Sequence, residues 1–213
     1  IATSGRARVL VYSPERVKTA ELPKNLDELA SDHWAGRLGW APSNSSYQAH
    51  VSALRSLWGE EKTKSWLTRM AALKPKVYPK NSPQVKAVSN GEIDVGWVNH
   101  YYLHKIKAAN PTLKAANYSF TTAGDAGNLL MLSGVAMTTH AKNKAAAQTL
   151  IDYLVSEGAQ KYFAQKLYEY PVVAGIKTHP DVPPKQGGWA VVEQSALADV
   201  VGTVKLLRSL KLQ

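Results

Sequence analysis

Residues Asn99-His-Tyr-Tyr-Leu-His104 set two phenols side by side, flanked by histidines four positions apart. A phenol ordinarily holds its proton up to a pH of about 10 and is then a poor ligand. A strongly charged cation displaces that proton, and the resulting phenolate oxygen suits hard ferric iron. Tyr101 and Tyr102 can equally be packing or helix-entry side chains. His100 and His104 could share a helix face, as zinc ligands do, but no Glu follows His100 in the HExxH sense. A zinc site would need a third ligand from elsewhere, and the plainer reading is a pair of solvated histidines at a helix start. A second group is Ser43-Asn-Ser-Ser46, polar and followed by a helical pattern. Hydroxyls and backbone N–H groups at a helix start, beside the positive end of its dipole, make an anion pocket. An ordinary helix cap explains the same four residues.

These groups need elements to hold them. Val9 to Ser13 reads as a buried strand closed by Pro14, and Gly36 to Trp40 as another that runs into the Ser43–Ser46 loop. Val51, Leu54, Leu57 and Trp58 recur at helical spacing, followed by Trp66, Leu67, Met70 and Leu73. Lys76 to Tyr78 suggests a short strand, and Asn81-Ser-Pro83 a cap leading into a helix with Val85 and Val88. Asn90-Gly91 is a turn, Ile93 to Val98 a strand, and His100 to Ala109 a helix. Further on, Leu129 to Thr138 holds one or two strands, and Asn143 to Val155 is an amphipathic helix. Gly158 to Lys166 forms a short helix, residues 178–188 a surface crossing, and Gln194 to Leu212 a last helix. Strands alternating with helices imply an α/β fold with a largely parallel sheet. In such sheets ligands lie beyond the carboxyl ends of strands, which singles out the two junctions above.

Composition narrows the chemistry. The 213 residues carry 26 Lys+Arg against 16 Asp+Glu, a formal charge of +10 that favours anions as partners. The lysines are scattered, with no basic arm or aromatic–basic motif, so no nucleic-acid partner is expected. Cysteine is absent, which excludes disulfides, thiolate metal sites and a cysteine nucleophile. No GxSxG elbow, no GxxxxGK[ST] loop and no conspicuous carboxylate pair is present, so neither hydrolase nor nucleotide chemistry has support. No stretch is long and apolar enough for a membrane span. Position 1 is not Met and the first ten residues lack a signal-peptide plan, which suggests a processed or truncated chain.

Several segments taken together resemble one family, the ferric-iron-binding periplasmic proteins that serve ABC importers. They are Ser4 to Tyr12, Gly39-Trp-Ala-Pro-Ser-Asn-Ser-Ser-Tyr47, Asn90 to Gly96 continuing through Asn99-His-Tyr-Tyr102, Gly124-Asp-Ala-Gly127 and Glu169-Tyr-Pro-Val172. The resemblance implies a periplasmic-binding-protein type II-like (venus-flytrap) α/β lobe with a mixed, largely parallel sheet, and a binding protein rather than an enzyme. It also implies Fe3+ held by tyrosinates with a synergistic anion, phosphate or carbonate, for delivery to a membrane permease. Tyr101 and Tyr102 match the paired tyrosinate ligands, and Tyr47 a position that is a third tyrosine ligand in some members. Ser43, Asn44, Ser45 and Ser46 fall at the anion site, with Asn81 and Asn99 near it and Arg6 as the cleft arginine. By the same analogy residues 1–11 are a hinge strand, 12–130 with 183–213 a second lobe, and 131–182 a remnant of a first lobe. The family's polypeptide normally begins earlier, so an N-terminal lobe segment is expected in the parent protein. The expected location is periplasmic or extracytoplasmic, surface-tethered in a Gram-positive cell. An anion or small organic solute binder of the same fold is the alternative, and a metal-dependent enzyme built on His100 and His104 a third reading.

Overall fold

The computed structural model describes residues 1–182 and 188–213. The strands are β1 (Ala2–Tyr12), β2 (Leu38–Trp40), β3 (Lys76–Val77), β4 (Val95–Asn99), β5 (Ala116–Tyr118) and β6 (Leu130–Gly134). The helices are α1 (Ser45–Trp58), α2 (Glu60–Ala72), α3 (Asn81–Asn90), α4 (Tyr101–Ala109), α5 (Lys144–Leu154), α6 (Glu157–Leu167) and α7 (Val200–Ser209). The described residues divide into two compact units, 8–129 with 188–213 and 1–7 with 130–182.

The larger unit holds the sheet order β3-β2-β4-β1-β5. Strands β3, β2 and β4 run parallel, and β1 lies antiparallel to both β4 and β5. The sheet is therefore mixed as expected, with its parallel part at the strands that precede the two candidate junctions. Parallel neighbours end at the same edge, so the turns after β2 and β4 emerge together. All five residues of β4 are buried, as a near-continuous apolar run requires in a strand covered on both faces. Helix α2 buries Thr63, Trp66, Leu67 and Met70, one face at helical spacing. On α1 the buried stripe is Tyr47, His50, Val51 and Leu54, and Leu57 turns outward at 38% exposure. Trp97 of β4 stands at the centre of the core, 5.5 Å from the ring of Trp66 and 5.2 Å from that of Tyr47, both edge-on.

Three expectations shift. The last helix is broken: a 3-10 turn at Gln194–Leu197 precedes α7, because Asp199 caps α7 through the Gly202 amide at 2.8 Å and is held by Arg55 at 3.0 Å. Asn81 does not cap α3; Lys80 occupies the cap position and the Asn81 amide turns inward. Strand β5 and the 3-10 turns at Thr19–Glu21, Asp27–Ala30 and Asp32–Trp34 had no periodic signal to announce them. Gly91 ends α3 at φ 84°, the left-handed conformation that a helix C-terminus favours and glycine adopts freely.

In the smaller unit the first half of β1 pairs antiparallel with β6, Ala7 opposite Leu130. The Glu169-Tyr-Pro-Val172 segment is tied to that strand. Ser4 donates its hydroxyl to the Glu169 carboxylate, and Gly5 and Tyr170 exchange two backbone bonds of 2.8 Å. Gln160 of α6 donates to the Thr3 carbonyl at 2.7 Å and accepts from the Val172 amide at 2.9 Å. Of α5 only Ile151 is buried, and Leu150 and Tyr153 stand open at 54% and 63%. Of the expected surface crossing at 178–188, residues 183–187 lie outside the described residues.

The Gly124-Asp-Ala-Gly127 segment is a structural clamp. Asp125 accepts from the amides of Leu26 at 3.0 Å and Gly127 at 2.8 Å, and Asn128 bonds both the amide and the carbonyl of Phe120. A Cβ on Gly127 would sit 2.3 Å from the fully buried Phe120 ring. Gly127→Ala is therefore expected to cost about 1–3 kcal/mol, the range for overpacked cores, read as a lower urea midpoint at unchanged slope.

Candidate functional site

The site grows out of strand register. In the β1–β4 pair Arg8 lies opposite Asn99 and Leu10 opposite Trp97, so all four side chains share one face. Arg8 is thereby set over the Trp97 ring, 5.1 Å from its centroid, and is fully buried at 0% exposure. Its Nη2 donates to the Trp97 carbonyl at 2.8 Å. Its Nη1 donates to Asn99 Oδ1 at 3.0 Å, to Asn81 Oδ1 at 3.2 Å and, at long range, to Ser46 Oγ at 3.4 Å. Its Nε is buried without a partner among the described residues. Every acceptor is neutral, and among the described residues no carboxylate pairs with this guanidinium. Burial pulls its pKa down to about 9, and Tyr47, Tyr101 and Tyr102 act in the opposite sense.

The α1 junction closes one side. Asn44 accepts from the Ser46 amide at 3.1 Å and the Ser46 hydroxyl at 2.5 Å, so it is a helix cap. It also accepts from Asn81 Nδ2 at 3.3 Å. Asn81 in turn takes the Asn99 amide at 3.2 Å, locking the start of α3 to the end of β4. Cap and site are one network. Ser43 and Ser45 are exposed at its edge, and the Ser43 carbonyl accepts from Gln48.

The phenols enter from the first turns of α1 and α4. Tyr101 and Tyr102 stack with centroids 4.3 Å apart and planes inclined by 29°. Tyr101 is buried at 8% exposure and Tyr102 is partly open. Tyr47 is 1% exposed and wedged edge-on against Trp40 and Trp97. Its hydroxyl is buried with no hydrogen-bond partner among the described residues. Burial raises its pKa well above the ordinary phenol value, with Arg8 pulling the other way. An unpaired buried polar atom is unfavourable, and this phenol oxygen shares that state with other buried groups such as the Trp40 and Trp97 indole nitrogens.

Of the residues nominated from sequence, Tyr47, Tyr101, Tyr102, Asn44, Ser46, Asn81 and Asn99 gather around Arg8, with Ser43 and Ser45 at the rim. Arg6 lies in the smaller unit, on the part of β1 paired with Met131 of β6. Arg8 was the residue sequence reasoning missed. Strand parity could not separate it from Arg6, because both fall on the same face two residues apart; only the register against β4 does. His100 and His104 are buried rather than solvated, their ring centroids 6.4 Å apart. Asn117 donates to the His100 carbonyl at 2.8 Å and lies 3.4 Å from His104 Nε2. Among the described residues no three His, Asp or Glu side chains converge on a metal position, so a zinc centre lacks its third ligand.

A family description, bacterial extracellular solute-binding protein, matches residues 1–192. The chain belongs to this family. This solute-binding protein is 32% identical over 173 residues to the major ferric iron-binding protein of Neisseria meningitidis, covering 81% of this chain and 52% of that one. It is 33% identical over 187 residues to the Fe(3+)-binding periplasmic protein of Serratia marcescens, covering 86% and 55%. The chain thus spans about half the length of the curated relatives it matches. Among solved structures it is similar to iron-bound HitA from Pseudomonas aeruginosa, with a TM-score of 0.87, 30% identity and coverage of 99% and 68%. A Trichodesmium protein in complex with iron and citrate gives a TM-score of 0.85 at 25% identity, with coverage of 100% and 70%. These likenesses bear out the periplasmic-binding-protein fold read from the sequence.

Arg8 also sets a pH dependence. Its folded-state pKa of about 9 lies below its ordinary value, so between the two the unfolded chain binds more protons and stability rises with pH. The buried charge is a burden below pH 9 and is relieved above it. Relative to Arg8→Met, the wild type is expected to gain stability as pH rises from 9 toward 10.5, by up to about 1.4 kcal/mol per unit. Paired urea titrations across that range measure it, and a constant difference would show that Arg8 holds no depressed pKa.

Proposed function

We propose that this chain carries the ferric-iron and anion donors of an importer's solute-binding protein, with Tyr101, Tyr102 and Tyr47 as phenolate ligands. Arg8, Asn44, Ser46, Asn81 and Asn99 hold the accompanying anion, with Ser43 and Ser45 at its rim. The observation that carries this is a fully buried guanidinium that feels three nearby phenols and, among the described residues, has no carboxylate partner. Charge arithmetic supports it. Fe3+ and Arg8 together bring four positive charges; three phenolates and a monoanion, or two phenolates and a dianion, restore neutrality. Remaining coordination positions fall to the anion, to water or to groups outside this set. The names of the Neisseria and Serratia relatives point the same way. The anion is an oxyanion of the phosphate, carbonate or carboxylate class. The loaded protein works outside the cytoplasmic membrane, in the periplasm or tethered to the cell surface, and hands its ion to an ABC permease. It binds and releases its cargo and does no catalysis. An anion or organic-solute binder without iron would use Arg8 equally well, but would leave three phenols without a task.

Titration with ferric citrate, read in the visible spectrum, tests this. A phenolate-to-iron charge-transfer band is expected in the wild type and lost in Tyr101→Phe/Tyr102→Phe. Tyr47→Phe shifts the band if Tyr47 is the third ligand. Arg8→Met keeps the band but weakens iron binding by about 10–100-fold, the usual effect of removing a group that supports a metal site. A band that persists in the double Phe variant defeats the proposal. Stabilisation by phosphate with no response to iron would favour the iron-free reading instead.

A further inference from the structure

A groove of about 550 Å³ runs between α3 and α4 of the larger unit. Ile106, Leu113 and Tyr102 contribute apolar surface to its lining, and Lys86, Lys105 and Ser89 are among its polar groups. The lysines are exposed, and among the described residues neither is ion-paired; Lys105 rests its ammonium 5.0 Å over the Tyr101 ring. Among the described residues no acidic side chain lines the groove. Its size is that of a small-molecule site, where an apolar lining takes the body of a ligand and a few polar groups fix its orientation.

We propose that this groove binds an amphipathic organic carboxylate, an aromatic acid being the best fit, at a site that adjoins the Arg8 cluster through Tyr102. The ring covers Ile106 and Leu113 and displaces water from them, while the carboxylate lies between the two ammonium groups. Long lysine stems suit this, since they lie along apolar surface while their heads stay in water. A hydrated inorganic anion gains nothing from the apolar lining residues, and a neutral aromatic gains nothing from the lysines. The charge pattern therefore selects a molecule with both parts. This site needs neither the phenolate oxygens nor Arg8, so it stands whether or not iron is the principal cargo.

The test is a titration of the 15N-labelled chain with 1-naphthoate, followed by amide chemical shifts without iron. Saturable shifts are expected at Ser89, Lys105 and Ile106, and they persist in Arg8→Met. Lys86→Gln/Lys105→Gln, changing only exposed side chains, should weaken binding roughly tenfold, as two surface ion pairs allow. 1-Naphthamide, matched in shape but uncharged, should bind the wild type correspondingly less well. Ala109→Trp places an indole in the groove from an exposed position on α4 and should remove the shifts without altering the melting temperature. No saturable shift, shifts centred on Asn81 and Asn99 alone, or equal affinity for the amide would each overturn the proposal.

Discussion

The structure depends on a positive charge kept in the protein interior with no carboxylate partner among the described residues. Burying a lone ion is unfavourable, on the order of several kcal/mol even after relaxation. Arg8 is nonetheless fully enclosed, answered by an aromatic face, a backbone carbonyl, two amide oxygens and a distant hydroxyl. Neutral dipoles lower the cost of burial and leave the charge itself uncompensated. Most of the surrounding architecture serves that arrangement. β1 must run antiparallel to β4 for Arg8 to meet Asn99, and β2 must run parallel to β4 for the α1 junction to arrive at the same edge.

The same residues that build the site hold the fold. Asn44 caps α1 and receives Asn81; Asn81 receives both Arg8 and the amide of Asn99. A side chain with these duties cannot be exchanged without moving a helix start. By contrast, the clamp at Asp125, Gly127 and Asn128 closes on Leu26 and Phe120, partners that belong to the core. Two polar segments, Ser43–Ser46 and Gly124–Asn128, therefore do different work.

Much of this was legible beforehand, and what was not has identifiable causes. The Tyr101–Tyr102 pair stood out because adjacent aromatics at a strand end break the simple alternation of a core. The Ser43–Ser46 loop stood out because it joins a strand to a helix. Arg8 was hidden by Arg6: sequence parity places both on one face, and the distinction is a register across strands far apart in the chain. The break before α7 depends on Asp199 being met by Arg55, a pairing across 144 positions that no local pattern contains. The exposed apolar side chains of α5 defeat the amphipathic rule in a different way. The helix has an apolar face, but within the smaller unit only Ile151 is covered.

Under the proposed reading the two ligands answer opposite needs of one cluster. Iron requires phenol oxygens to shed protons, which burial opposes at Tyr47. The anion requires Arg8 to keep its proton, which burial also opposes. Each ligand removes the other's obstacle. A bound anion restores a counter-charge to Arg8 and holds it protonated, and the charged guanidinium then favours phenolates nearby. A trivalent cation displaces the phenol protons and leaves a net positive centre that draws the anion in. Because binding free energies are reciprocal, the anion must raise iron affinity by the same factor by which iron raises anion affinity. Under that reading, synergy between metal and anion follows from enclosing Arg8 with the buried Tyr47 and Tyr101 and the partly open Tyr102.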